Sequence, residues 1–264
     1  MTVAPMAFRA LSTEVSEGSG CAVTRNDELR RPLPRTAIER AAVTPLVRRI
    51  TLKAAEVVVP RLTRILPRED LERLGSDYGG WWIPTGLITE DSVVYAAGVG
   101  EDASFDLALI ERFGCEVWAM DPTPRSIEYA SRITEPRWHF LPFGLWKEDA
   151  ILHFHPPADS AHVSHSATEV RGRGPGFDAQ CHSLATFTEK LGHDHVDLLK
   201  MDIEGAEGPV LDWIAAERIL PRVICVEFDA PENPWVLRRR LRRLEGVGYV
   251  VRCTEGRNYT LTLG

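Results

Sequence analysis

No apolar run in this 264-residue chain approaches the ~20 residues of a membrane-crossing helix, so no stable membrane insertion is expected. The start, MTVAPMAFRALSTEVSEGSG, lacks a charged opening followed by an apolar block. It does not read as a signal peptide, and the expected compartment is the cytoplasm. Cysteine is sparse: Cys21, Cys115, Cys181, Cys225 and Cys253 are scattered and odd in number, and no pair has metal-ligand spacing. They read as reduced, buried thiols. Positive charge is short overall, with a net charge of −7. Residues 1–75 hold 13 Lys+Arg against 9 Asp+Glu, so the remainder carries −11. A domain that acidic argues against nucleic acid as a partner, because neutralising phosphates dominates such binding.

What remains is 44% apolar and 26% charged, enough for one full-sized soluble domain and an appendage. The chain is organised around Val93–Gly100, VVYAAGVG. Val93, Val94 and Tyr95 suit a buried strand. Gly98 and Gly100 allow a sharp turn and a close backbone approach. Ser104–Phe113 then spaces its apolar residues for a helix. Strand, glycine turn and helix form the first unit of a doubly wound nucleotide-binding fold, whose ligands sit at the carboxyl ends of the strands.

The ligand follows from charge. The letters G-V-G-E-D-A also fit a dinucleotide fingerprint. A pyrophosphate, however, wants bare N–H groups at a helix N-terminus, and Glu101 and Asp102 place two carboxylates there. S-adenosylmethionine has no phosphate and carries a sulfonium and an amino group that carboxylates attract. Asp121, 21 positions after Gly100 at the end of the next strand candidate, is placed to hold ribose hydroxyls, with Pro122 beside it. Phe143 and Gly144 follow the third strand, where an adenine ring could lie. Tyr78 and Trp81, in SDYGGWWIP, offer either a cation–π surface for the sulfonium or a seal for the core.

Further along, VDLLKM (Val196–Met201) reads as a central strand running into Asp202, Glu204 and Glu207 around Gly205. VICVEF (Val223–Phe228) delivers Glu227, and Asp229 after it, near the same place. The loop between residues 156 and 176 holds His165, a titratable group near neutral pH. Residues 1–35 read as a flexible segment. Residues 36–75 read as a helical appendage interrupted by Pro45, Pro60 and Pro67, a lid or a dimer element. In it Val47, Ile50, Ala54, Val57 and Val58 fall near one face. Leu237–Leu244, LRRRLRRL, reads as an outer helix with a basic solvated face, and residues 249–263 as a terminal β-hairpin.

The motifs GVGEDASFDLALIERFGCEVWAMDPTP (Gly98–Pro124) and VDLLKMDIEGAE (Val196–Glu207) resemble those of class I S-adenosylmethionine-dependent methyltransferases of the FkbM family. The resemblance covers roughly Tyr78 to Gly264. It implies a Rossmann-like, seven-stranded, mostly parallel sheet over residues 76–264, with helices on both sides. It also implies methyl transfer, usually to oxygen, on sugars or secondary metabolites. Gly98, Gly100, Asp121 and the DIEGAE run fall on its cofactor and active-site positions.

The expected partner is therefore a small-molecule hydroxyl acceptor. A hydroxyl is a poor nucleophile, so a base must take its proton, and Asp202, Glu204 and His165 are the candidates. A subordinate arrangement has Asp202 with Glu227 or Asp229 holding Mg²⁺. The chain lacks a lysine three residues after Asp202, the placement used by some metal-dependent catechol-type enzymes. Two alternatives to the whole reading are an NAD(P)-dependent oxidoreductase or epimerase, and a non-catalytic S-adenosylmethionine-binding protein that works through its N-terminal helices, the segment that could also form a homodimer.

Overall fold

The structure, a computed structural model, describes residues 45–66, 70–155, 175–228 and 234–264. All of them belong to the unit Val43–Gly264. Its first helix, α1, spans Pro45–Leu62. Two short strands, β1 (Leu71–Leu74) and β2 (Trp81–Pro84), pair antiparallel and lead through a 3-10 turn at Thr85–Leu87 into β3 (Val93–Ala97). Then follow α2 (Ser104–Phe113), β4 (Glu116–Met120), α3 (Pro124–Ala130), β5 (Trp138–Leu141), β6 (Gly144–Leu145), β7 (Ala150–Phe154) and β8 (Phe177–His182). The remainder is α4 (Leu184–Leu191), β9 (Leu198–Met201), α5 (Glu207–Glu217), β10 (Val223–Glu227), α6 (Pro234–Gly246) and the hairpin β11 (Tyr249–Glu255) and β12 (Asn258–Leu263).

Seven strands form the main sheet in the order β11-β12-β10-β9-β3-β4-β5. The five from β10 to β5 are parallel, and the terminal hairpin adds two antiparallel strands at one edge. The strand order reverses between β3 and β9, which opens a crevice at their carboxyl ends. Because side chains alternate along a strand, β3 feeds two cores. Tyr95 and Ala97 pack with Leu184, Leu211 and Leu241 from α4, α5 and α6. Val94 and Ala96 pack with Phe105 and Leu109 from α2. Glycine and serine fix the helix ends. Gly114 ends α2 in the left-handed region (φ +73°), and the Ser183 side chain caps α4 by accepting from Thr186 N.

The strand at Ala150–Phe154 joins β8 and β6 in a separate three-stranded sheet. Three expectations change. The chain from Leu71 to Leu74 is a strand, because its backbone pairs with Trp81–Pro84. The segment read as an appendage contributes α1 directly to the core. Pro45 begins the helix, where a missing N–H costs nothing, and Pro60 sits in its last turn. The buried face of α1 also differs from the one the spacing suggested. Val59 is fully buried, whereas Ile50 and Val57 are 59% and 49% exposed. Nine residues at about 100° each put Val59 half a turn from Ile50, so the two cannot share a face.

Candidate active site

β3 ends at Ala97, and Gly98 turns the chain with φ +83°. A Cβ there would lie 1.8 Å from the carbonyl oxygen of Asp202, so only glycine fits between the ends of β3 and β9. Most N–H groups of the turn are already taken. Val99 N and Gly100 N both donate to Asp121 Oδ2 at 3.0 Å. Ala103 N donates to the Tyr129 hydroxyl at 3.1 Å, and Ser104 N to Asp102 Oδ1 at 2.8 Å. The other oxygen of Asp102 accepts from Ser76 Oγ at 2.6 Å, which ties the loop between β1 and β2 to the turn. Burial opposes charge on Asp102. Hydrogen bonds from Ser104 and Ser76, with the Lys200 ammonium, outweigh it and hold the carboxyl below its ordinary range. A phosphate would find few bare donors here and would face an ionised carboxylate.

Opposite stands the end of β9. Lys200, 8% exposed, donates its ammonium proton to the Gly98 carbonyl. Beyond it the chain turns through Glu204 (φ +54°) and Gly205 (φ +96°). Glu207 holds that turn, its Oε1 accepting from Ile203 N at 3.1 Å and Gly205 N at 3.0 Å. Burial pushes the Glu207 carboxyl up to about 8 despite these donors. At the end of β10, Glu227 pairs with Arg257 of the hairpin turn at 2.5 Å. Burial, then the negative charge of Asp202, raises Glu227 to about 7 against the pull of Arg257.

These elements enclose a cavity of about 770 Å³. Of the residues the sequence pointed to, Tyr78, Trp81, Gly98, Gly100, Glu101, Asp102, Asp121, Pro122, Gly144, Asp202, Glu204 and Glu227 line it. Tyr78 stands at the rim, 89% exposed, while Trp81 is buried. Phe143 does not line it. Its ring turns edge-on to His182 at 5.2 Å, and Leu145 and Trp146 face the cavity in its place. Asp121 is at the expected wall, but its carboxylate already accepts four hydrogen bonds, two from the glycine turn and two from Thr123. Its first task is to shape the turn, and a ribose hydroxyl would have to displace one of these donors. His165 and Asp229 lie outside the described residues. Among the described residues no group of three or more His, Cys, Asp or Glu is arranged to hold a metal ion.

A family model for the methyltransferase FkbM domain matches residues 96–251. The chain belongs to the FkbM methyltransferase family. Among curated relatives it is 26% identical to the probable methyltransferase-like protein 24 of Rattus norvegicus over 141 residues, 53% of this chain and 33% of that protein. The human counterpart is 26% identical over 137 residues, 52% of this chain and 31% of that one. This FkbM-family chain thus spans about a third of the length of the curated relatives it matches. Among solved structures, the FkbM methyltransferase from Methylobacillus flagellatus KT is similar with a TM-score of 0.45 and 13% identity, over 75% of this chain and 48% of that one. Fibrillarin from Aeropyrum pernix, solved with natively bound S-adenosyl-L-methionine, is similar with a TM-score of 0.37 and 13% identity over 68% of each chain.

The FkbM-family site also contains residues the sequence did not point to: Lys200 inside the recognised motif, Glu56 from α1, and Glu255–Asn258 in the hairpin turn. A lysine in the buried strand LLKM was the one available signal, since a buried ammonium needs a partner. Glu207 carries a prediction. Its proton is held more tightly folded than unfolded. The stability it contributes is therefore complete below the unfolded value near 4.5 and is lost as pH rises through about 8. Melting curves of Glu207→Gln should lose most of the wild-type decline between pH 5 and pH 8.5. Glu207→Ala should be destabilised by about 3 kcal/mol at pH 5, because two buried N–H groups lose their acceptor, and by less as pH rises toward 8.5. Equal pH dependence in wild type and Glu207→Gln would remove Glu207 from this role.

Proposed function

We propose that this FkbM-family chain binds S-adenosylmethionine in the cavity and transfers its methyl group to a hydroxyl oxygen of a small molecule, a sugar or a secondary metabolite. The observation that carries the cofactor reading is the occupied glycine turn. Val99, Gly100, Ala103 and Ser104 give their N–H groups to the chain's own oxygens, and Asp102 stays ionised among them. Such a wall suits a ligand with positive charge and no phosphate, and it disfavours a dinucleotide. The strand order and the two cores support a doubly wound arrangement, with the cofactor beside β3 and β4 and the acceptor beside β9 and β10.

When bound, the cofactor supplies an electrophilic methyl group. The chain's task is to align the acceptor oxygen behind it and to take the hydroxyl proton. Asp202, Glu204 and Glu227 face the cavity from the acceptor side. Glu227 is the best suited of the three, because a base with a pKa near working pH is both ionised and able to hold a proton. Arg257 keeps its carboxylate oriented. Glu227 would take the acceptor's hydroxyl proton, leaving the oxygen free to receive the methyl group.

The test is release of S-adenosylhomocysteine from the purified chain with S-adenosylmethionine and a panel of sugar, phenol and polyketide alcohols. Acceptor-dependent release that survives EDTA supports the reading. Binding of the cofactor with no release on any acceptor would favour a non-catalytic binding protein. Loss of turnover in EDTA, restored by Mg²⁺, would replace the base by a metal.

A further inference from the structure

We infer that the outward faces of α1 and α6 form a docking surface for an anionic membrane, held peripherally by arginine and lysine heads around exposed apolar side chains. The observations lie away from the cavity. On α1 the exposed positions among the described side chains are Ile50, Lys53, Val57 and Arg61, a stripe repeating about once per turn. On α6 they include Trp235, Arg239 and Arg242, also at one-turn spacing. Trp235 is 68% exposed. The two helices pack against each other, and Val59 shares one core with Leu237, Leu241 and Leu244. With their inner faces on that common core, both stripes turn outward on the same side of the sheet.

The charge of this face sets it apart. The chain as a whole carries −7. Yet α6, PWVLRRRLRRLEG, has five arginines and one glutamate, and that glutamate, Glu245, pairs with Arg238. The one acid of α1, Glu56, lines the cavity. Among the described residues Lys53, Arg61, Arg239 and Arg242 form no ion pair. Four such cations, one aromatic and two aliphatic side chains on packed helices match what an anionic lipid surface takes from a peripheral protein.

Other occupants fit less well. A second copy of the chain would set these arginines against their own counterparts. Residues 1–44 carry nearly equal numbers of basic and acidic side chains and no acidic block to complement the face. Nucleic acid would use the cations but would leave Ile50 and Val57 without an apolar partner.

The experiment is co-sedimentation of the full chain with phosphatidylcholine vesicles, with and without phosphatidylserine, at low and high salt. Binding should require phosphatidylserine and fall as salt rises. The double variant Arg239→Gln with Arg242→Gln should bind at least about tenfold more weakly. Trp235→Ala should weaken binding several-fold at both salts, which a purely electrostatic contact would not show. Both variants should keep the wild-type melting temperature and S-adenosylhomocysteine affinity, since neither helix face reaches the cavity. No phosphatidylserine-dependent binding would overturn the proposal. So would binding unaffected by Trp235→Ala, or tighter retention on single-stranded RNA than on the vesicles.

Discussion

Gly98→Ala is expected to abolish ligand binding at this site. The new methyl carbon would sit 1.8 Å from the Asp202 carbonyl oxygen, and its φ of +83° is one that alanine resists. The obstacle is backbone at the end of the neighbouring strand, so no side chain can move aside. Relief requires β3 and β9 to part at their carboxyl ends. That would pull the Gly98 carbonyl from Lys200 and the turn N–H groups from Asp121. We expect a loss of about 3 kcal/mol or more in stability, seen as a fall of roughly 10 °C in melting temperature. Affinity for S-adenosylhomocysteine should fall at least about a hundredfold. Gly192→Ala is the control. Gly192 also has a positive φ, +75°, but nothing lies within 4 Å of its Cβ position, so the cost should be about 1 kcal/mol, with affinity unchanged. Similar losses in both variants would show that strain at φ, and not the contact with Asp202, is what matters.

Glu227→Gln should give the largest loss of turnover with the least loss of structure. Glutamine keeps the shape and can still accept from Arg257, but it cannot take a proton. If Glu227 is the base, turnover in the wild type climbs as pH rises through about 7, where the carboxyl ionises. The variant should fall by about 10²- to 10⁴-fold and lose that limb of the profile. Stability moves the opposite way. The Glu227 carboxyl is raised in the folded state, so the stability it contributes is complete below about 4.5 and is lost as pH rises through about 7. At pH 8 the variant should therefore melt higher than the wild type, and at pH 5 the two should converge. A variant that keeps full turnover, beside an inactive Asp202→Asn, would move the base to Asp202.

Much of this site was legible because the residues that make it are clustered in sequence. Gly98 to Asp102 and Asp202 to Glu207 each lie at the end of a recognisable buried strand, and parallel pairing of β3 with β9 brings them together. The terminal hairpin was equally plain from its alternation. What escaped was tertiary. Glu227 looked like one more strand-end acid, and its raised pKa depends on burial and on Asp202 across the sheet. Gly144 lines the cavity and Phe143 does not, because which side chain between two strands faces inward cannot be read from composition. In α1 an apolar spacing suggested the wrong face, since Val59 and the helices it meets decide which side is buried. Asp121 lines the cavity, but its four internal hydrogen bonds are visible only with the turn folded around it.

Titration calorimetry of the full chain with S-adenosylhomocysteine, and separately with NAD⁺, tests the central claim most directly. Binding of S-adenosylhomocysteine, weakened by Gly98→Ala and unaffected by Mg²⁺, with no heat from NAD⁺, is the predicted result. Binding of NAD⁺ would contradict it, because a pyrophosphate would then have settled beside the ionised Asp102 in a turn that gives the N–H groups of Val99, Gly100, Ala103 and Ser104 to Asp121, Tyr129 and Asp102.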